Sequence, residues 1–230
     1  MTLLRPSEHW VVPARLWHAA ISVVVATCFV TQFVLNSTGG QDSSSGVPVG
    51  ASPPSVWLVR MFSYFTIQSN LLLLLAEIAL IIDPRRDGRL WRILRLDSLI
   101  GIVITGLVFD LILAPDVHLT GVAFLVTVGF HYIAPWAALL GWLLFGPRPR
   151  IDQATLVLAF VWPVAWIVYT FARGALTGIY PYPFLDAGVV GFWRAAGSAM
   201  VVFLVGVALA LAFRVLDRLS CLVPDGHPRD

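Results

Sequence analysis

The sequence contains no lysine, so all fifteen of its Lys and Arg positions are arginines. A Schiff base to retinal or to pyridoxal phosphate needs a lysine amine, and the phosphate-binding P-loop needs a lysine as well. The absence of lysine therefore excludes a rhodopsin-type pigment and a P-loop.

Cysteine and charge are also scarce. Cys28 lies inside the first apolar run and Cys221 in the C-terminal tail, which predicts no disulfide, and no Cys-x-x-Cys or zinc pattern is present. Charged residues make up 12% of the chain and hydrophobic residues 58%, whereas a soluble domain has about a quarter of its residues charged. No basic groove or stacking platform indicates nucleic acid as a partner. This balance indicates a membrane protein.

Six long apolar runs follow one another along the chain, each close to or above the roughly 18 to 20 residues with which an α-helix crosses a bilayer. They cover residues 16–36, 56–82, 96–114, 119–145, 154–171 and 189–213. We predict an all-α fold with residues 1–230 forming one membrane domain of six spanning helices, of which residues 214–230 are a cytoplasmic tail. The first run is longer than the apolar core of a signal peptide, so we expect it to remain in the mature protein.

The distribution of arginine predicts the orientation of the helices, because cytoplasmic loops are enriched in Lys and Arg. Twelve of the fifteen arginines lie in the N-terminal segment, the second-to-third and fourth-to-fifth connections, and the tail. Arg173 lies in a loop on the opposite side, and Arg60 and Arg194 lie inside helices or at their mouths. Both termini are therefore predicted to be cytoplasmic.

Two connections on the predicted external side have unusual compositions. The segment NSTGGQDSSSGVPVGASPPS is rich in Gly, Ser and Pro, which indicates a flexible connection, with a mobile lid as the alternative. The segment TGIYPYPFLDAG carries two tyrosines and two prolines. It suits the aromatic belt at the lipid headgroups, or a folded loop that caps a pocket.

Polar groups inside the spans are the functional candidates, since hydrocarbon penalises them unless they have partners. They are Gln32, Arg60, Thr66, Gln68, Asn70, Glu77, Asp110, Thr127, His131, Tyr169 and Arg194. A helix rise of about 1.5 Å per residue predicts that Thr66 and His131 lie level near the middle of the membrane. Pro135 removes the hydrogen bond to the carbonyl of His131, which predicts a kink and space for a ligand.

A hydroxyl becomes a nucleophile when a base takes its proton, and Thr66 with His131 is the one level hydroxyl and imidazole pair in the spans. Asn70 lies on the same helix face as Thr66, as Ser63 also does. In the alternative interpretation, Thr66 bonds to a carbonyl of its own helix and His131 packs between helices.

The remaining ionisable groups have structural interpretations. Asp110 is expected to form an ion pair with Arg194 or Arg60, or else to orient His131 or bind a polar group of a substrate. Glu77, near the inner end of its run, is expected to reach toward the arginines of the next connection.

Three sequence elements resemble a known family. FSYFTIQSN, GFHYIAP, and WIVYTFARG followed by YPYPFLD are similar, in order and spacing, to the androgen-induced protein family, which includes the androgen-dependent TFPI-regulating protein and a bacterial branch. Characterised members are six-helix threonine hydrolases that cleave fatty-acid esters of hydroxy fatty acids. The resemblance implies that Thr66 is the nucleophile and His131 the base, and the QSN that follows the threonine indicates the bacterial branch and a bacterial plasma membrane.

These observations lead to a predicted intramembrane hydrolase of lipid esters, which acts among membrane lipids and needs neither a metal nor an organic cofactor. Thr66 would attack the ester carbonyl, His131 would take and return the proton, and Asn70 or Arg194 would stabilise the oxyanion. Further supporting positions are Asp110, Gln68 and Tyr169. The sequence does not specify an oligomeric state.

The alternative function is non-enzymatic. A cluster of Asp110, Arg194 and His131 would bind or transport a small lipophilic or ionic ligand across the bundle.

Overall fold

The computed structural model describes residues 9–219, within which every regular element is a helix. Six segments are long and apolar enough to cross a membrane, namely Val11–Ser37, Phe65–Ile82, Arg89–Asp116, Gly121–Phe145, Gln153–Thr177 and Phe192–Asp217. The predicted all-α fold of six spanning helices is confirmed, and the chain is an integral membrane protein. Residues 220–230, with Cys221 and most of the predicted tail, lie outside the described residues, as do residues 1–8.

Several spanning segments consist of more than one helix. The α-helices are α1 (Val11–Ser37), α2 (Pro54–Ser63), α3 (Phe65–Ile82), α4 (Arg89–Val108), α5 (Gly121–Val128), α6 (Ala134–Phe145), α7 (Gln153–Leu158), α8 (Val161–Thr177), α9 (Ala187–Val190) and α10 (Phe192–Asp217). Single π-helical turns at Phe109–Leu113 and Gly129–Ile133 interrupt the third and fourth spans.

The third span forms the centre of the bundle. In its most apolar stretch 72% of the residues are buried, against 22% for the corresponding stretch of Phe192–Asp217. Helix α4 contacts α3, α6 and α10, and α3 also packs against α1. The outward faces carry exposed apolar side chains, such as Leu16, Val23 and Val30 of α1, which suits helices whose outer surface is covered by lipid.

The run 56–82, predicted as one helix, is broken at Tyr64. Helix α2 ends at Ser63, Tyr64 has an extended backbone (φ −69°, ψ 131°), and α3 begins at Phe65. The break frees backbone carbonyls, and two side chains cover them: Nε2 of Gln68 donates to the carbonyl of Phe62 (2.8 Å), and Nε1 of Trp166 to that of Ser63 (3.0 Å). Ser63 therefore belongs to a different helix from Thr66, contrary to the predicted shared helix face.

The predicted disturbance at Pro135 takes the form of the π-helical turn Gly129–Ile133, which contains His131. In such a turn, a carbonyl accepts a hydrogen bond from the residue five positions later. The donor for the carbonyl of Phe130 would be Pro135, which has no N–H. Instead, Nδ2 of Asn70 lies 3.4 Å from this carbonyl oxygen.

The Gly/Ser/Pro-rich loop that was predicted to be external is folded against the helices, unlike the flexible connection that its composition indicates. Ser43 is fully buried, its N–H donates to Oε1 of Gln32 (3.1 Å), and its carbonyl accepts from Oγ1 of Thr127 (2.7 Å). The loop thereby contacts the fourth span one turn away from His131.

A buried charged cluster joins three spans in the half of the bundle predicted to face the cytoplasm. Glu77 of α3 is completely buried and accepts from Nη1 of Arg95 (2.8 Å), and its second oxygen lies 2.5 Å from Nδ1 of His18. The expectation that Glu77 reaches toward the arginines of the next connection is met by Arg95, one of those arginines, although the carboxylate is buried and does not lie at the helix end. Its arginine partner comes into the bundle instead, because α4 packs along α3.

Candidate functional site

Thr66 and His131 lie in contact. Oγ1 of Thr66 is 3.3 Å from Nε2 of His131, and both residues are almost fully buried. Thr66 stands in the first turn of α3, directly after the break at Tyr64, and His131 stands in the π-helical turn of the fourth span. Two interruptions of regular helix thus meet at this pair.

The surroundings of His131 define its neutral tautomer. Nδ1 lies 3.2 Å from the carbonyl oxygen of Thr127, which can only accept, so Nδ1 carries the proton. Nε2 then has a lone pair available toward Thr66. The ring of Phe109 stacks on the imidazole with centroids 4.0 Å apart and planes at 27°, which fixes the ring orientation.

A glycine permits this stacking. A Cβ on Gly106 of α4 would lie 3.1 Å from both the carbonyl oxygen of His131 and the ring of Pro135, closer than an ordinary contact. With glycine at this position, α4 approaches the π-helical turn and brings Phe109 against His131.

The hydroxyl of Thr66 makes no hydrogen bond to its own helix, in contrast to the alternative interpretation from the sequence. A threonine hydroxyl inside a continuous helix commonly bonds to the carbonyl four residues earlier. That carbonyl belongs to Phe62, which lies across the break and accepts from Gln68. The hydroxyl instead has His131 and Tyr182 as its partners.

Tyr182 is a site residue that the sequence reasoning did not select. Its hydroxyl oxygen lies 3.1 Å from the backbone N of Thr66 and 3.2 Å from Oγ1 of the same residue. Tyr182 is buried and its ring stacks on Phe184 (5.5 Å, 8°). The tyrosines and prolines of YPYPFLD were the available signal, and the folded-loop interpretation of this segment describes Tyr182 better than the aromatic belt does.

The hydrogen bonds around Thr66 have one consistent direction. The Thr66 N–H can only donate, so the Tyr182 oxygen accepts from it, and the Tyr182 O–H is left to donate to Oγ1 of Thr66. The Thr66 hydroxyl then donates to the lone pair on Nε2 of His131. Burial raises the pKa of Tyr182 to about 12, so its O–H remains protonated at physiological pH.

Three predicted supporting residues surround the pair without presenting a free donor to it. Nδ2 of Asn70 lies 2.9 Å from the carbonyl of Thr66 and 3.4 Å from that of Phe130, so it holds the two backbones together and is not placed to bind an oxyanion. Gln68 accepts from Nε1 of Trp162 (2.8 Å) in addition to covering the helix break. The hydroxyl of Tyr169 lies 2.8 Å from Oγ of Ser63, on the far side of the break.

Asp110 does not form the expected ion pair with Arg194 or Arg60. Asp110 is exposed and accepts a hydrogen bond from the hydroxyl of Tyr132 (3.1 Å). The carbonyl of Thr127 orients His131 in place of Asp110.

The two arginines expected to pair with Asp110 have no salt-bridge partner in the part of the chain that the structure describes. Arg194 is exposed at the start of α10 and makes no hydrogen bond or ion pair with any described residue, and Arg60 likewise has no salt bridge within residues 9–219. The predicted cluster of Asp110, Arg194 and His131 does not form. His131 is buried, whereas the side chains of Asp110 and Arg194 are exposed on the outside of the bundle.

A cavity of about 690 Å³, including its open part, lies beside Thr66. Its walls come from α3, α4, α8, α10 and the loop before α9. Polar atoms are few, and the residues that can supply them are Thr66, Thr105, Tyr182 and Trp166, whose Nε1 already donates to the carbonyl of Ser63. The remaining walls are aliphatic and aromatic side chains, which suits an apolar ligand.

Among the residues that the structure describes, no group of three His, Cys, Asp or Glu side chains is placed to hold a metal ion. Comparisons of the chain with protein-family models, curated proteins and solved structures found no match.

Proposed function

We propose that the protein is an intramembrane hydrolase of lipid esters with Thr66 as nucleophile and His131 as general base. The observation that carries this proposal is the 3.3 Å contact between Oγ1 of Thr66 and Nε2 of His131 next to an apolar cavity. A nucleophile and base within hydrogen-bond reach, with the base oriented by a third group, is the arrangement that acyl transfer needs. Here the carbonyl of Thr127 is the orienting group.

In the first half-reaction, Oγ1 of Thr66 attacks the carbonyl carbon of the ester while Nε2 of His131 takes the hydroxyl proton. The C–O bond to the alcohol then breaks, and the proton on Nε2 passes to the leaving oxygen. The products are the free alcohol and an acyl ester on Thr66.

In the second half-reaction, a water molecule attacks the acyl ester and gives a proton to Nε2 of His131. The bond between the acyl carbon and Oγ1 breaks, and His131 returns the proton to Oγ1. The carboxylic acid leaves and the resting state is restored, so the proton balance closes without a metal or an organic cofactor.

Tyr182 is the candidate donor to the developing oxyanion. Its oxygen accepts from the N–H of Thr66, which polarises its own O–H bond toward donation. The N–H groups at the start of α3 add positive potential at the same place. A preformed donor in an apolar site contributes most when charge develops on the substrate.

The apolar walls of the cavity support an acyl chain as the substrate group bound there. The resemblance to the androgen-induced protein family supports the same class, fatty-acid esters of hydroxy fatty acids or similar lipids, and a bacterial plasma membrane as the location. Substrate and products would then exchange with the surrounding membrane lipids.

The test is hydrolysis of long-chain esters by the purified protein in lipid nanodiscs. Thr66→Val removes the hydroxyl at nearly constant volume, and His131→Gln removes the base, so each variant should lose activity by about a thousandfold or more. Thr170→Val is the matched control, since Thr170 is a buried threonine of α8 that does not line the cavity. Activity within a few-fold of wild type in either site variant would contradict the proposal.

A second candidate is a lipid-binding protein without catalysis, which the apolar cavity also favours. A covalent acylating probe that reacts with serine and threonine hydroxyls separates the two functions. Labelling at Thr66 that disappears in His131→Gln supports the hydrolase. Ligand binding without any labelling of Thr66 supports the binding protein.

A further inference from the structure

Thr105 of α4 has a buried hydroxyl without a hydrogen-bond partner. Only 4% of the residue is exposed, and its Oγ1 contacts no donor or acceptor among the described residues. In a helix, such a hydroxyl usually bonds to the carbonyl four residues earlier, here Gly101. A polar group that is buried without a partner costs free energy, so this hydroxyl is available for a ligand.

The position of Thr105 links it to the reactive pair. Thr105 lines the same cavity as Thr66 and Tyr182. Thr105 stands four residues before Phe109, the residue stacked on His131, so the two residues lie about 6 Å apart along the helix axis. The cavity wall continues on α4 to Ile100, so the wall from Phe109 to Ile100 is about 13 Å long.

We propose that this cavity is an acyl-chain site in which the hydroxyl of Thr105 binds a mid-chain oxygen, either a hydroxyl or a keto group, a few carbons from the ester carbonyl. The inference rests on the proposed function for the placement of the ester beside Thr66. The hydrogen bond itself does not depend on hydrolysis. An oxygenated chain gains the partner that Thr105 lacks, whereas a plain hydrocarbon chain leaves the hydroxyl unpaired.

The selectivity follows from the composition of the cavity. Ile104 and Val108 flank Thr105 along α4, and Phe160 and Ile167 of the fifth span line the same cavity. None of these side chains can form a hydrogen bond with an oxygen on the chain. Among the described residues that line the cavity between the reactive pair and Ile100, Thr105 supplies the unpaired polar group that distinguishes an oxygenated chain from a plain one, since Nε1 of Trp166 already donates to the carbonyl of Ser63.

The test measures binding to the Thr66→Ala protein, which cannot form the acyl ester. The probes are methyl octadecanoate and a series of methyl hydroxyoctadecanoates that differ only in the position of the hydroxyl, added to the protein in nanodiscs. At the position that matches Thr105, the hydroxy ester should bind about tenfold more tightly than the plain ester. Thr105→Val should abolish this preference, and Thr105→Ser should retain it.

Thr170→Val is the control for the loss of a buried threonine hydroxyl. Thr170 is 2% exposed and its Oγ1 also has no partner within the described residues, but it does not line the cavity. This variant should keep the preference for the hydroxy ester.

The outcomes separate this inference from the proposed function. Equal binding of all probes to the protein that retains Thr105 overturns the inference, as does a preference that survives Thr105→Val. The comparison of plain and hydroxy esters needs no substitution at Thr105. Equal binding of these probes therefore overturns the inference even if the Thr105→Val protein does not fold. If the wild-type protein hydrolyses no ester but shows the Thr105-dependent preference, the hydrolase proposal fails and the binding site stands.

Discussion

The hydroxyl of Tyr182 lies 3.1 Å from the backbone nitrogen of Thr66, although 116 residues separate them in the chain. The loop before α9 thus completes a site whose other parts come from α3 and the fourth span. Because the Thr66 N–H occupies a lone pair of the tyrosine oxygen, the tyrosine proton is directed to the Thr66 hydroxyl or to an oxyanion. The direction of these bonds gives Tyr182 a specific role that can be removed by deleting one oxygen atom.

Tyr182→Phe should lower kcat of ester hydrolysis by about a hundredfold, because loss of one preorganised oxyanion donor has an effect of this size. KM should change little, since the ring and its stacking on Phe184 remain. Steady-state kinetics check this split. Tyr169→Phe is the control, as its hydroxyl bonds to Ser63 and the residue does not line the cavity. An unchanged kcat in Tyr182→Phe would exclude the oxyanion role.

Asn70→Leu should destabilise the fold by about 1–3 kcal/mol, because the carbonyls of Thr66 and Phe130 lose their shared amide donor inside the bundle. Unfolding in detergent, followed by circular dichroism, measures the change. Ser69→Ala is the control at the neighbouring position, since the hydroxyl of Ser69 is buried and has no partner among residues 9–219. Equal stability of the two variants would show that Asn70 does not hold the spans together.

Glu77→Leu should destabilise the protein by about 3–5 kcal/mol, because it leaves Arg95 buried without its carboxylate. Arg95→Met should be less destabilising, because Glu77 keeps His18, whose Nδ1 lies 2.5 Å from its second carboxylate oxygen. The double variant removes both charges of the pair and should recover part of the Glu77→Leu loss, with His18 still left without its carboxylate partner. The free energies of unfolding of the wild type and the three variants form a double-mutant cycle, and strictly additive losses would argue against a coupled buried pair.

Asp42→Asn tests the folded Gly/Ser/Pro-rich loop between α1 and α2 through the pH dependence of stability. Burial raises the pKa of Asp42 above its ordinary value, outweighing the hydrogen bonds from Ser44 and Ser45 and the attraction of Arg60. The folded protein therefore holds the proton more tightly than the unfolded chain does. The stabilising contribution of this group is present below about pH 4 and is lost as the pH rises through the folded pKa.

Asparagine keeps an oxygen that can accept from the N–H groups of Ser44 and Ser45 but cannot ionise. The Asp42→Asn protein should thus be more stable than wild type at neutral pH and nearly equal to it at acidic pH. Thermal unfolding at the two pH values measures the difference. A variant that is less stable than wild type at neutral pH would mean that the charge of Asp42 stabilises the loop.

The partners of individual polar residues show where prediction from the sequence stopped. Thr66 and His131 could be placed level from depth alone, since their positions along two helices need only the helix rise, but their 3.3 Å contact is a finding of the structure. Asp110 and Arg194 were expected to form an ion pair, but both are exposed and Asp110 bonds to Tyr132. Depth predicts which residues are level, whereas rotation about the helix axis decides which of them meet.

The sequence by itself determined the six spanning helices and the level of the Thr66 and His131 pair, because the length of apolar runs and the helix rise are local properties. The tertiary structure alone decided the break at Tyr64, the approach of Tyr182 and the cavity lined by Thr105. Each of these depends on which distant side chain satisfies a buried backbone or hydroxyl group. Gln68 and Trp166 make the break possible by covering the carbonyls of Phe62 and Ser63, and no local pattern identifies those partners.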